Sequence, residues 1–231
     1  MIQITWLGHA TFEILFPTGE VLVLDPWVEG NPAYPKDYEI KKVDAIAASH
    51  AHFDHVNDLL PLAKKFNPKV VAIFETAAWY EKKGVKNTIG MNKGGTVDLG
   101  FVKLTMTHAL HSCSIKDGDN FIYGGEAAGY VLSLPDGRRA YFSGDTALFS
   151  DMALIGELYA PEIAFLPIGD HFTMDPHQAA HAARLLKVKR VIPMHYGTFP
   201  ALTGRPEQLQ EKLQKDGIEV WTLKQGQPVE W

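Results

Sequence analysis

The sequence predicts an α+β fold of four layers, αββα, with two sheets face to face and helices outside. Three observations predict it. Mostly apolar runs at Val21–Leu24, Val70–Phe74, Ile163–Pro167 and Arg190–Met194 read as buried strands. The elements run strand-rich, helix, strand-rich, helix, strand, so each half supplies a sheet covered on one side by helices, and burying both apolar faces brings the sheets together. The 231 residues contain no low-complexity linker, so a single domain over 1–231 is expected.

The elements follow in order. Ile2, Ile4 and Trp6 share a period of two, as do Phe12, Ile14 and Phe16, which predicts a hairpin. Pro17-Thr18-Gly19 turns the chain into the strand Val21–Leu24, which ends at Asp25-Pro26-Trp27. Residues 28–42 read as an irregular loop. Val43–Ser49 is a strand, and Val56–Phe66 is a helix. Val70–Phe74 is a strand, and a helix near 76–83 stops at Gly84. Strands are expected at 95–99, 101–107, 120–125, 128–134 and 138–143, with turns at Gly94-Gly95, Asp117-Gly118-Asp119 and Pro135-Asp136-Gly137. A helix at 149–157 precedes the strand Ile163–Pro167. Asp175 as N-cap and Pro176 at the first position open a helix to about 187. The strand 190–194, a helix over 206–216 stopped by Gly217, and a last strand at Glu219–Leu223 complete the chain.

Composition removes several function classes. Hydrophobic residues make up 46% and charged residues 21%, with a net charge of −5. No basic run builds a surface that tracks phosphates, so nucleic acid is not an expected partner. The single cysteine, Cys113, excludes an internal disulfide and a thiolate zinc cluster. The start, Met1-Ile2-Gln3-Ile4-Thr5-Trp6, reads as a strand rather than a signal peptide, and no apolar stretch is long enough to span a membrane. A cytoplasmic protein without a membrane partner is expected.

The chemistry concentrates in His50-Ala51-His52-Phe53-Asp54-His55, between a buried strand and a helix. In an extended loop, residues two apart point the same way, so His50 and His52 can share one metal, while Asp54 and His55 at the helix start can reach a second. Imidazole and carboxylate donors suit zinc, manganese or iron. For this composition, chance gives such a cluster roughly once in a thousand chains.

His-x-His-x-Asp-His after an apolar strand resembles the metallo-β-lactamase superfamily. Leu7-Gly8-His9-Ala10-Thr11, Ser143-Gly144-Asp145-Thr146 and Pro193-Met194-His195-Tyr196-Gly197 occur in superfamily order, so the resemblance extends along the chain. Together they look like small cytoplasmic metal-dependent hydrolases similar to the ascorbate-phosphate lactonases and, more distantly, the N-acyl-phosphatidylethanolamine phospholipases D. The resemblance implies the metallo-β-lactamase fold and two divalent ions, with zinc expected. It implies that His50, His52 and His111 bind one ion, that Asp54, His55 and His195 bind the other, and that Asp145 bridges them. The family pattern of His followed by Ser selects His111 over His108. The implied activity is a dinuclear-metal-activated hydroxide acting on a small ester, lactone or phosphoester. A small-molecule substrate and a homo-oligomer are the expected partners.

Other residues are placed around this centre. His9, in the turn after the first strand, is expected to contact substrate or support the ligands, with capping or packing as the competing role. Asp25 either orients a ligand histidine or forms a turn. His171, in the loop Gly169–Met174, is expected to contact substrate, and either His171 or His9 would protonate the leaving group. His177 and His181, four apart on a helix, are expected at the surface. Cys113 is expected to be a small buried residue. The loop aromatics Trp27, Tyr34, Tyr38 and Phe199 are expected to be exposed, at an interface or a pocket mouth.

Two rivals use the same fold. One is an iron-dependent sulfur dioxygenase or oxidoreductase. The flavin-associated di-iron oxygen reductases carry Glu where this chain has His52 and need a flavodoxin domain, and neither feature is present. The other is a non-catalytic binding module, against which the full ligand set argues. A secreted β-lactamase would need a signal peptide, and an RNA-processing member would usually carry an inserted domain.

Overall fold

A computed structural model describes residues 1–231. In chain order the elements are β1 (Gln3–Trp6), β2 (Phe12–Leu15), β3 (Val21–Leu24), β4 (Ala45–Ala47), α1 (Phe53–Val56), α2 (Leu59–Phe66), β5 (Lys69–Ile73), α3 (Phe74–Lys82) and β6 (Thr88–Met91). Next come β7 (Thr96–Asp98), β8 (Lys103–His108), β9 (Ser114–Asp117), β10 (Asn120–Tyr123), β11 (Ala128–Ser133), β12 (Arg139–Phe142), α4 (Met152–Tyr159) and β13 (Ile163–Pro167). The chain closes with α5 (Pro176–Leu186), β14 (Arg190–Met194), α6 (Pro206–Leu213), β15 (Glu219–Val220) and β16 (Pro228–Glu230). These form two compact units: Met1–Lys93 with Ser112–Ala127 and Leu223–Trp231, and Gly94–His111 with Ala128–Thr222.

The first unit holds a seven-stranded sheet in the order β16-β1-β2-β3-β4-β5-β6. From β16 to β3 the pairing is antiparallel, and from β3 to β6 it is parallel. Parallel neighbours need crossovers, which here carry α1 and α2 between β4 and β5 and α3 between β5 and β6. Every residue of β3 and β4 is buried, as the apolar runs predict. The parallel strands β3 and β4 release Asp25 and the His50–His55 segment from their C-terminal ends, where open α/β sheets hold ligands.

The second unit holds a seven-stranded sheet in the order β15-β14-β13-β12-β11-β8-β7, parallel from β12 to β15 and antiparallel from β12 to β7. Its core sets Val131, Tyr141, Ala164, Leu166 and Val191 of the sheet with Ala179, Ala183 and Leu186 of α5 and Leu209 of α6. The α5 N-cap is as the sequence predicts: Asp175 accepts from the Gln178 amide at 2.7 Å, with Pro176 following.

Three strands differ from the expectation. β6 and β9 form where none was expected, and β9 pairs with β10 in a separate two-stranded ribbon. The last strand is not Glu219–Leu223; β15 ends at Val220, and the chain goes on to β16, which pairs with β1 through Gln3↔Glu230. β16 is short, begins with Pro228 and gains its ladder only from a partner more than two hundred residues away, so local pattern does not reveal it. The loop aromatics are also less exposed than expected. Trp27 is 3% exposed, and Tyr34, Tyr38 and Phe199 are half-buried. The Trp27 indole N–H donates to the Glu29 carbonyl, and the Tyr38 hydroxyl donates to Glu13 at 2.8 Å, so partners within the loop and sheet draw these rings inward.

Candidate metal centre

In the first unit, Asp25 organises the histidines. It leaves β3 in a left-handed conformation (φ 42°) and is fully buried. Its Oδ1 accepts from the Ser49 amide at 2.7 Å. Its Oδ2 accepts from the Ser49 hydroxyl at 2.6 Å and from His55 Nδ1 at 2.7 Å. The Ser49 oxygen in turn accepts from His50 Nδ1 at 3.0 Å. One carboxylate therefore sets the tautomer of two imidazoles, His55 directly and His50 through Ser49, with the protons on Nδ1 and the lone pairs on Nε2. Burial pushes the Asp25 carboxyl above its usual range, while His55 and Ser49 pull against that shift. Asp25 thus does more than form a turn: it bonds His55 directly and reaches His50 through Ser49.

The donor chemistry fits a divalent ion. His50 Nε2 and His52 Nδ1 lie 3.0 Å apart. Two imidazole nitrogens on one tetrahedral zinc are about 3.3 Å apart, given bonds of about 2.05 Å. Asp25, His50 and His55 also offer atoms clustered within 4.8 Å of one another, although the Asp25 carboxylate is already engaged by Nδ1 protons and acts behind the ligands. Asp54 and His55 sit in the first turn of α1, half-buried and buried respectively.

His9 is buried and reaches Asp54, its Nε2 lying 3.2 Å from Oδ2. Its ring stands edge-on to Trp27 at 5.0 Å and lies 5.5 Å from His55. The turn is over-determined. His9 has φ 56°, its carbonyl accepts from the Trp6 indole at 2.9 Å, and Thr11 N–H closes the turn on Gly8 at 3.0 Å. Gly8 has φ 93°, and a Cβ there would lie 2.6 Å from the Ala33 carbonyl oxygen, so no other residue fits. Capping alone does not account for a histidine held this way.

In the second unit, the donors come from three separate strand ends. Asp145 follows β12, His195 follows β14, and His111 follows β8. Asp145 Oδ2 lies 2.9 Å from His195 Nε2 and 3.7 Å from His111 Nε2. Thr146, which sequence reasoning missed, stitches two of the loops. Its hydroxyl accepts from the Leu110 amide at 3.0 Å, and the Ala147 amide donates back to Leu110 at 3.1 Å. His195 is left-handed (φ 56°), and its carbonyl packs on Gly169 so closely that a Cβ there would lie 2.1 Å away. His108 is exposed and stacks edge-on against Phe149 at 5.1 Å.

His171 is exposed on the loop that starts at Gly169, with φ 55°, its ring against Phe172 at 4.4 Å; it makes no hydrogen bond to Asp145 or His195. His177 and His181 are exposed on α5 with rings 4.7 Å apart and no third donor, as expected. Cys113 is buried, bonds the Gly124 carbonyl at 3.3 Å, and has a thiol held above its usual range by burial. Ser49 was also missed, although its place between a buried strand and His50 was a usable signal. The left-handed non-glycine residues fall into two groups: Asn67, Ala160 and Lys187 end helices, whereas His9, Asp25, Asp170, His171 and His195 lie at or beside the donors. Backbone strain of that kind persists where surrounding contacts enforce it.

The β-lactamase superfamily domain profile matches residues 20–196. Igni18, a metallo hydrolase from the hyperthermophilic archaeon Ignicoccus hospitalis, superposes with a TM-score of 0.87 at 34% identity, covering 99% of this chain and 97% of that one. The chain is thus a metal-dependent hydrolase with the metallo-β-lactamase fold, carrying a His/Asp cluster able to bind metal. Within that class it belongs to the UPF0173 metal-dependent hydrolases. It is 63% identical over 230 residues to the one from Solibacter usitatus, with all of both chains covered, and 54% identical to the one from Koribacter versatilis, covering 98% and 97%. No helix is long and apolar enough to cross a membrane.

Proposed function

We propose that the protein hydrolyses a small ester, lactone or phosphoester with two divalent ions, zinc by preference. The observation that carries this reading is the Asp25 network, which turns two buried imidazoles into oriented Nε2 donors. His50, His52 and His111 would hold one ion, Asp54, His55 and His195 the other, and Asp145 both, as the family resemblance assigns them. Bound ions supply a water of near-neutral pKa and a positive field for the developing oxyanion.

The chain's own groups supply the rest. His9 Nε2–H donates to Asp54 Oδ2, which leaves the other carboxylate oxygen for ligation. Of the two candidate proton donors, His171 is the exposed one, on a strained loop beside His195, and it takes that role; His9, buried against Asp54, is a positioning residue.

The test is a screen of zinc- and manganese-loaded protein against lactones, thioesters, phosphodiesters and phosphomonoesters, with bound metal counted. Two equivalents of metal and turnover of one class, lost in Asp54→Ala, are expected. Iron in the purified protein with oxygen uptake, or full activity in Asp54→Ala, overturns the reading.

A further inference from the structure

A shallow cleft of about 160 Å³ opens in the first unit against the His50–His55 segment. Ala51, in the loop after β4, and Phe53, the first residue of α1, form one wall. Trp79 and Tyr80 of α3 and Ile115 and Lys116 of β9 form the others.

The chemistry of these walls is specific. Phe53 is 49% exposed and presents a large apolar ring at the mouth, its edge contact being with Trp27 at 5.9 Å. The Tyr80 hydroxyl is occupied by the Val56 carbonyl at 3.3 Å, so that ring offers an apolar face. Lys83 lies 4.7 Å over the Trp79 ring and is paired with Asp117 at 3.1 Å, which removes its charge from competition. Lys116 is exposed and makes no ion pair, and no carboxylate lines the cleft. Aromatic and aliphatic walls with a single uncommitted ammonium complement an apolar body carrying one negative charge. A dianionic phosphate more often meets an arginine fork or a helix N-terminus.

We infer that this cleft is a binding site for a small apolar monocarboxylate, walled in part by Ala51 and Phe53 of the His50–His55 segment. The inference uses only groups of the first unit and does not depend on the proposed hydrolysis.

The test is titration of the full chain with 4-phenylbutyrate, read by tryptophan fluorescence, with 4-phenylbutyramide and acetate as controls. The expected result is saturable quenching by 4-phenylbutyrate that Trp79→Phe removes and neither control reproduces. Lys116→Glu should weaken binding about tenfold or more, the loss expected for one charge-assisted contact, with the thermal melt unchanged because Lys116 is exposed. Phe53→Ala should weaken it as well. Equal binding of the amide and the carboxylate, undiminished affinity in Lys116→Glu, or no quenching up to the solubility limit overturns the inference.

Discussion

The two units carry their donors in opposite ways. In the first, His50, His52, Asp54 and His55 lie within six residues, and one buried carboxylate, Asp25, fixes two of the imidazoles. In the second, His111, Asp145 and His195 are dispersed over eighty-five positions, and what aligns them is loop stitching at Thr146 and the backbone contact at Gly169. The first unit invests in side-chain hydrogen bonds, the second in backbone placement. Each should therefore fail through a different kind of substitution.

The largest effect is expected in the first unit. Asp25→Ala removes the acceptor for His55, Ser49 and, through it, His50, all buried. Breaking such a buried network costs about 3 kcal/mol or more in urea unfolding, and zinc affinity should fall about 10- to 100-fold. Zinc binding at wild-type affinity would show that the network is not what orients the ligands.

Gly169→Ala attacks the second unit without replacing a donor side chain. The new Cβ would meet the His195 carbonyl at 2.1 Å, and backbone cannot yield as a flexible side chain does. A loss of about 2–3 kcal/mol is expected in the same unfolding assay. An unchanged midpoint would break the claim that this unit depends on backbone placement.

His9 sharpens the account of the first unit. His9→Ala should lower kcat/KM about tenfold, as expected for one oriented hydrogen bond, with metal content retained, and His9→Gln, which keeps a donor for Asp54, should recover part of the loss. Loss of metal in both variants would instead make His9 a ligand.

The smallest effect lies far from any donor. Asp216 accepts two hydrogen bonds from Arg184 on α5, which hold its carboxyl below the usual range. A depressed carboxyl stabilises the fold above the ordinary carboxylate pKa, and that contribution is lost as pH falls through the lowered value. Asp216→Asn should therefore lower Tm slightly at pH 7, with the difference from wild type shrinking in acid and in high salt. A difference that grows in acid would contradict the assignment.

The same contrast explains what could be read without coordinates. The His50–His55 segment was legible because its donors are neighbours in sequence. His111, Asp145 and His195 are not recoverable from spacing; only the resemblance of their flanking residues to a known family singles them out. The sequence leaves Asp25 between two roles, since nothing local distinguishes a turn aspartate from one that reaches a histidine thirty residues on. Trp27 is buried where its loop position predicts exposure, because a loop aromatic shows its burial only through its partners, here His9 and Phe53.

The sequence by itself determined the α+β class, the buried strands β3, β4, β5, β13 and β14, the Asp175 cap and the His/Asp segment able to bind metal, because each follows from periodicity or from side-chain chemistry within a few residues. Only the tertiary structure decided that β16 closes the first sheet against β1, that Ser49 and Asp25 set the tautomers of His50 and His55, and that His9 bears on Asp54. These rest on contacts between residues far apart in the chain, whose energies appear only once the backbone has brought them within hydrogen-bonding distance.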